Sequence, residues 1–139
     1  MTITEMVQNA YVTAVKHGFW DDPPEFGTSI ALIHSELSEA LGEVRAGRPA
    51  LYFPCNAGGM CCEETDKNTS CGSRVWDPRD PETYCKAKSE KPEGWAVELA
   101  DAVIWIADLC GFMGIDLEEI IKLKMDYNEH RSYLHGKKF

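Results

Sequence analysis

Acidic residues recur at helical spacing in two stretches of this chain that are otherwise rich in apolar residues. The stretches are HSELSEALGEV at 34–44 and GWAVELADAVIWIADLC at 94–110, and their acidic residues are Glu36, Glu39, Glu43, Glu98, Asp101 and Asp108. Residues three or four apart stand on one helix face, so each stretch predicts a row of carboxylates. Like charges in such a row repel each other, and burial would raise their pKa values. Mg²⁺ or Mn²⁺, which prefer carboxylate oxygens, would relieve both costs.

A solvated helix face is the alternative explanation for each row. A single ExxE pair is common on exposed helices and needs no ligand. Two pairs, the second of them inside an otherwise apolar helix, favour a metal site. Charge and periodicity alone therefore predict a helical protein with a candidate metal site, and they leave the solvated alternative open.

The composition is that of a globular chain and predicts one domain over residues 1–139. No apolar run has the length of a membrane span, and the first residues lack the pattern of a secretory signal, so we expect a cytoplasmic protein without a membrane partner. The formal net charge of −9 argues against a nucleic-acid polymer as partner. Several cationic residues nevertheless gather near the C-terminus, where a polyanion could be held: Lys122, Lys124, Arg131, Lys137 and Lys138.

Hydrophobic periodicity predicts four helices and no strand, which indicates an all-α, four-helix-bundle-like fold. The predicted helices cover about 2–18, 28–46, 93–112 and 116–127. The third is apolar nearly all round, so we expect it to be central and buried. Residues 48–92, between the second and third helices, contain five of the six cysteines and five of the seven prolines. Because they show no clear periodicity, they are predicted to be an insertion.

The cysteines of the insertion allow two interpretations. They are Cys55, Cys61, Cys62, Cys71 and Cys85. A structural Zn²⁺ could hold the insertion together, but no CxxC pair is present, so the spacing favours free thiols. The sixth, Cys110, is predicted to be a small core residue of the third helix.

Three segments of the chain together form an ordered set of motifs. They are ELSE at 36–39, ELAD at 98–101 and the ending KMDYNEHRSYLHGKKF at 124–139. In this order they resemble the MazG-like nucleoside triphosphate pyrophosphohydrolases of the all-α pyrophosphatase superfamily. The resemblance covers residues 1–47 and 92–139. It does not extend to the cysteine-rich insertion, which is longer than the family's usual connection.

The resemblance implies a MazG module that forms a homodimer or homotetramer, binds Mg²⁺ and hydrolyses a (d)NTP to (d)NMP and pyrophosphate. It implies a role in cleaning or reshaping the dNTP pool of a bacterial or phage-infected cell. One phage branch of the family is specialised for dGTP, and the preferred base of this chain stays open.

The same resemblance assigns roles to individual residues by matching position. The metal ligands and catalytic residues would be Glu36, Glu39, Glu98 and Asp101, with Glu39 as the candidate general base. The residues that contact the phosphates would be Lys124, Asn128 and Arg131, with a looser match for Lys137 and Lys138. Trp20, in the loop after the first helix, is a candidate for stacking on the base, and a structural anchor is its alternative role.

A different class of function also fits the sequence. The chain could be a non-catalytic helical interaction module, with solvated carboxylate rows and an insertion that binds a protein partner or zinc. Binding of Mg²⁺ through the four motif carboxylates separates the enzyme from this module.

Overall fold

The computed structural model describes residues 1–54 and 90–131. Within these ranges the regular structure consists of four α-helices and one isolated antiparallel β-bridge, between Tyr52 and Glu93. The helices are α1 (Ile3–Lys16), α2 (Phe26–Arg45), α3 (Trp95–Phe112) and α4 (Leu117–Glu129). The prediction of an all-α fold is thereby confirmed. Among the described residues, no helix is long and apolar enough to cross a membrane. The cysteines of the insertion lie outside the described residues, and with them the choice between zinc and free thiols; Lys137 and Lys138 also lie outside.

Side-chain caps explain where α1 and α4 begin. The Thr2 hydroxyl accepts a hydrogen bond from the Glu5 backbone N–H at 3.1 Å, and the Glu5 carboxylate accepts one from the Thr2 N–H at 2.8 Å. Asp116 caps α4 by accepting from the Glu119 N–H at 3.0 Å. These bonds satisfy N–H groups that have no partner within the helix. Both predicted helix starts are confirmed, whereas α3 begins slightly later than predicted because Glu93 pairs with Tyr52.

The described residues fall into two compact units. The first contains residues 1–29 and 104–131, and the second contains residues 30–54 and 90–103. In the first unit α1 packs against α4. Glu118 accepts hydrogen bonds from Lys122 at 2.8 Å and from the backbone N–H and hydroxyl of Thr4 at 3.1 and 2.8 Å. These bonds, that from Lys122 first, lower the pKa of Glu118 to about 2.

In the second unit, the face of α2 that carries carboxylates is its more buried face. Ile33 and Ala40 are buried, and Glu36 and Glu43 on the same side are half-buried. The apolar stripe one residue further round the helix is exposed instead, with exposed fractions of 46–55% at Leu37, Leu41 and Val44. The amphipathic pattern is therefore inverted relative to that of an ordinary surface helix.

The third helix shows the same inversion. Glu98 and Ala102 are buried, whereas Leu99 and Val103 are 43% and 47% exposed. Ile104 and Ile106 are also exposed. The prediction that α3 is central and buried is thus wrong for the part of the helix that carries these four exposed residues. It holds further along, where residues 107–110 are all buried. Cys110 is buried, as predicted, and burial raises the pKa of its thiol.

A close contact between α1 and α3 in the first unit gives a test of this packing. A Cβ added to Gly111 would lie 2.5 Å from Cβ and 3.0 Å from Cγ of Tyr11. We expect Gly111→Ala to lower the free energy of unfolding by about 1–3 kcal/mol, because overpacking displaces its neighbours. Urea unfolding followed by circular dichroism measures the change.

Gly42→Ala is the matched control, since Gly42 is also helical and an added Cβ would meet no atom within 4 Å. The greater helix propensity of alanine should raise the unfolding free energy of this variant by up to about 1 kcal/mol. Equal effects of the two substitutions would contradict the close approach of α1 and α3.

Candidate functional site

Three carboxylates of the second unit converge on one point. Glu36 of α2 and Glu98 and Asp101 of α3 each present an oxygen, and these oxygens all lie within 4.8 Å of one another. Glu98 is only 9% exposed, and the other two are half-buried. The structure therefore brings together three of the four residues predicted to bind a metal, although the two motifs are far apart in the sequence.

The helical period positions these side chains among small buried residues. Ala40 lies one turn beyond Glu36, and Ala102 lies one turn beyond Glu98. Both alanines are buried, at 6% and 3% exposure. Because residues four apart share a helix face, each carboxylate stands on the covered side of its helix. This placement differs from that of a solvated acidic row, which would face water.

The carboxylates of the cluster carry like charges, and their proximity disfavours the ionised form of each. The pKa of Glu98 is raised, first by burial and then by the negative charges of Glu39, Asp101 and Glu36. A hard divalent cation would offset this cost, because it binds carboxylates in their charged form. The donor set of three carboxylate oxygens fits Mg²⁺ or Mn²⁺, and it leaves coordination positions for water and phosphate.

Glu39 has a different position from the other three motif carboxylates. It is exposed and is not a member of the convergent group. Its charge nevertheless makes the largest carboxylate contribution to the raised pKa of Glu98, so it lies near the cluster. The assignment of Glu39 as a metal ligand stays a prediction.

The predicted phosphate-binding residues of the first unit share one side of α4 and the turn after it. Lys124 Nζ lies 4.9 Å from the ring centre of Tyr127, and Arg131 Cζ lies 5.6 Å from the same centre. Asn128 is exposed next to them. Tyr127 was not among the predicted site residues, although an aromatic residue with cations three positions before and four after it favours such contacts. The role of these residues towards phosphate stays a prediction.

Trp20 has a full set of protein partners within the first unit. Its indole N–H donates to Asp108 Oδ1 at 2.8 Å, and its ring stacks on Phe112 with centroids 4.0 Å apart and planes 5° apart. Tyr11 packs against it at 6.4 Å. These contacts support the alternative role of Trp20 as a structural anchor, and its stacking on a base stays a prediction. Asp108, which the spacing placed in the carboxylate row, serves as the acceptor for Trp20.

The hydrogen-bonded pair of buried Asp108 and half-buried Trp20 gives stability a dependence on pH. Burial raises the pKa of Asp108, and the bond from Trp20 opposes this only in part. The folded state then holds the proton more tightly than the unfolded chain, in which the pKa is about 3.9. Stability is therefore lost as the pH rises from about 4 through the folded-state pKa.

Asp108→Asn should remove this loss, because asparagine keeps an acceptor oxygen for Trp20 and cannot ionise. We expect the variant to be more stable than the wild type near pH 7 and to lose that advantage below about pH 4. Urea unfolding followed by tryptophan fluorescence at both pH values measures the difference. An advantage of equal size at the two pH values would contradict the raised pKa of Asp108.

Comparisons of the chain with protein-family models, with curated proteins and with solved structures found no match. The resemblance to the MazG-like family therefore rests on the ELSE and ELAD motifs and on the C-terminal segment from Lys124. The structure adds the convergence of Glu36, Glu98 and Asp101, and family membership stays a prediction.

Proposed function

We propose that the protein is a Mg²⁺-dependent nucleoside triphosphate pyrophosphohydrolase of the MazG-like type, which converts a (d)NTP to (d)NMP and pyrophosphate. The observation that carries this proposal is the convergence of Glu36, Glu98 and Asp101 within 4.8 Å. All three are positions to which the resemblance assigns metal binding. Mn²⁺ is a substitute that the same oxygen ligands would accept.

The residues of the chain fit the demands of phosphoryl transfer, which depends on positioned charge more than on covalent chemistry. A divalent ion at the cluster would neutralise the charge of phosphate oxygens and would lower the pKa of a water molecule bound to it. Glu39, exposed beside the cluster, would accept a proton from the attacking water. The α-phosphorus is the expected point of attack, and the β-phosphorus is the alternative. The resemblance assigns phosphate binding to Lys124, Asn128 and Arg131, whose donor groups are of the kind that stabilises charge on phosphate oxygens.

The reaction is tested by incubating the protein with Mg²⁺ and each common nucleoside triphosphate in turn, and separating the products by chromatography. Formation of monophosphate and pyrophosphate would support the proposed cut and would identify the preferred base, dGTP included. Formation of diphosphate and phosphate would instead place the cleavage between the β- and γ-phosphates. A lack of turnover with both Mg²⁺ and Mn²⁺ would contradict the proposal for these substrates.

Glu98→Gln tests the site itself, because it removes the most buried ligand charge while keeping the size of the side chain. We expect kcat/KM to fall by at least about a hundredfold, since even residues that only support a metal ligand typically contribute ten- to hundredfold. Mn²⁺ affinity, measured by calorimetry, should fall with it. Glu119→Gln, at an exposed glutamate of α4, is the control and should change neither quantity. Full activity of Glu98→Gln would disprove the assigned site.

The exposed apolar stripes of the second unit form a surface that we call the apolar side. It is defined by Leu37, Leu41, Val44, Leu99 and Val103, which are 43–55% exposed. In both helices the stripe lies one residue beyond the carboxylate face. Two contacts show the direction of the helices: the carboxylates of Glu36 and Glu98 converge. Further along, Tyr52 is hydrogen-bonded to Glu43 near the end of α2 and pairs with Glu93 just before the start of α3. The helices therefore run antiparallel, and equal offsets place both stripes on the same side of the pair.

We propose that a second copy of the chain covers the apolar side, in a homodimer or in a homotetramer built from such dimers. A twofold interface joins the same patch on both copies, so one apolar surface suffices to form it. Large exposed side chains on two adjacent helices supply the hydrophobic contact that a permanent interface needs. The alternative function, a non-catalytic interaction module, is favoured by the same surface, but it predicts no Mg²⁺ binding through Glu36, Glu98 and Asp101.

Leu41→Glu tests the oligomer, since it places a charge at the centre of the α2 stripe. We expect the molecular mass measured by sedimentation to shift towards that of a single chain, because burying an unpaired charge disfavours association. Val12→Glu, at an exposed residue of α1, is the control and should leave the mass unchanged. A wild-type protein that is monomeric while it hydrolyses substrate would contradict the interface.

A further inference from the structure

Tyr52 contacts the end of α2 through its side chain. Its hydroxyl donates a hydrogen bond to the Glu43 carboxylate at 3.1 Å, and Cζ of Arg48, just after the helix, lies 5.9 Å from the centre of its ring. Arg48 is itself bound to α2, because its backbone N–H donates to the Glu43 carbonyl at 3.0 Å. Tyr52 is only 8% exposed, so little water competes for these contacts. The side chain of Tyr52 is therefore fixed to the C-terminal end of α2.

The backbone beside and at Tyr52 is bound to the start of α3. Tyr52 and Glu93 each donate their N–H to the other's carbonyl at 2.9 Å. The Ala50 carbonyl accepts from the N–H of Ala96, in the first turn of α3, at 3.0 Å. An N–H at this position has no partner within its own helix, so the bond also caps α3. The segment that contains Tyr52 is thus attached to the chain on both sides of the point where α3 begins.

Gly94 brings this attachment close to the carboxylates of α3. Its φ is +116°, and a Cβ there would lie 2.6 Å from the Pro49 carbonyl oxygen and 2.7 Å from that of Ala50. Only glycine allows the two backbones to approach so closely. The Gly94 carbonyl in turn accepts from the Glu98 N–H at 3.2 Å. The backbone at Glu98 is therefore joined to the segment of Tyr52 by one short turn.

Repulsion between α2 and α3 gives this connection a role at the carboxylate cluster. Glu36 of α2 and Glu98 and Asp101 of α3 present oxygens within 4.8 Å of one another, and like charges at this distance repel. The repulsion favours separation of the two helices, and it is strongest before a cation binds. Tyr52 opposes the separation, because its side chain is fixed to α2 and its backbone to the start of α3.

We propose that Tyr52 is a positioning residue of the metal site, which holds the carboxylates of α3 close enough to Glu36 to share a divalent cation. This proposal rests on the proposed function, because that function places a metal ion at the cluster. Tyr52 belongs to none of the three sequence motifs and lies near the start of the predicted insertion. It acts through its bonds to Glu43 and Glu93, so breaking the bond from its hydroxyl should weaken metal binding.

Tyr52→Phe tests the proposal, since it removes the hydroxyl and keeps the buried ring. We expect the Kd for Mn²⁺, measured by calorimetry, to rise by roughly three- to tenfold, the equivalent of one hydrogen bond. The effect should be smaller than the ten- to hundredfold typical of groups bonded directly to a metal ligand. Tyr11→Phe makes the same change in the first unit and is the control. Equal Kd values for the two variants would overturn the proposal.

A double-mutant cycle separates positioning from a general loss of stability, which would lower the free energy of unfolding and leave the Kd unchanged. Glu43→Leu removes the acceptor of the Tyr52 hydroxyl, whereas Glu43→Gln loses the same charge and keeps an acceptor oxygen. Adding Tyr52→Phe to Glu43→Leu should weaken Mn²⁺ binding no further, because the bond is already lost. Adding it to Glu43→Gln should still weaken binding. Fully additive effects with Glu43→Leu would contradict the proposed connection.

An assay of nucleotide hydrolysis beside the Mn²⁺ titration distinguishes this proposal from the proposed function. Weaker Mn²⁺ binding by Tyr52→Phe than by Tyr11→Phe, with no hydrolysis by the wild type, would support Tyr52 and reject the enzyme. Hydrolysis by the wild type, with equal Mn²⁺ binding by the two variants, would reject Tyr52 and leave the enzyme standing. A wild-type protein that binds no Mn²⁺ would reject both, since each requires a metal ion at the cluster.

Discussion

Mutual repulsion among the carboxylates of α2 and α3 is the constraint on which the second unit depends. Holding oxygens of Glu36, Glu98 and Asp101 within 4.8 Å of one another costs free energy. The same burial and repulsion raise the pKa of Glu98. An arrangement selected only for stability would turn these groups towards water and place the leucines between the helices. The chain does the opposite, which is the pattern expected where local stability is given up for a binding site.

The same constraint accounts for the outer surface. When the carboxylate faces of two helices are turned towards each other, the apolar stripes one residue further round each helix are left at the flank of the pair, uncovered by the partner helix. Leu41 and Val103 are exposed for this reason. Association with a second copy would bury these stripes and offset the cost of the acidic interior. Metal binding would offset the repulsion among the carboxylates, and oligomer formation would bury the apolar stripes. Both would follow from the same orientation of the two helices.

The sequence predicted the helices and the carboxylates because both depend on local spacing. The capping residues Thr2 and Asp116 marked helix starts correctly, since a cap involves only neighbouring residues. Which side of α3 is buried could not be derived in this way. The rule that apolar residues face inward assumes that water covers the rest, and an inverted helix breaks that assumption. Tyr52 and Glu93 were missed because an isolated bridge between distant residues leaves no periodic signal.

The pairing of Tyr52 with Glu93 also bears on how such a chain can evolve. These two residues bring together the ends of the segment that joins α2 to α3, so the site is held by contacts at the base of that segment. The entropy of closing a chain between paired ends grows only slowly, by about 0.6 kcal/mol for each doubling of length. Residues can therefore be gained, lost or exchanged between the paired ends at little thermodynamic cost to the carboxylate cluster. The fold keeps a position at which new sequence can be added while the carboxylate cluster beside it is preserved.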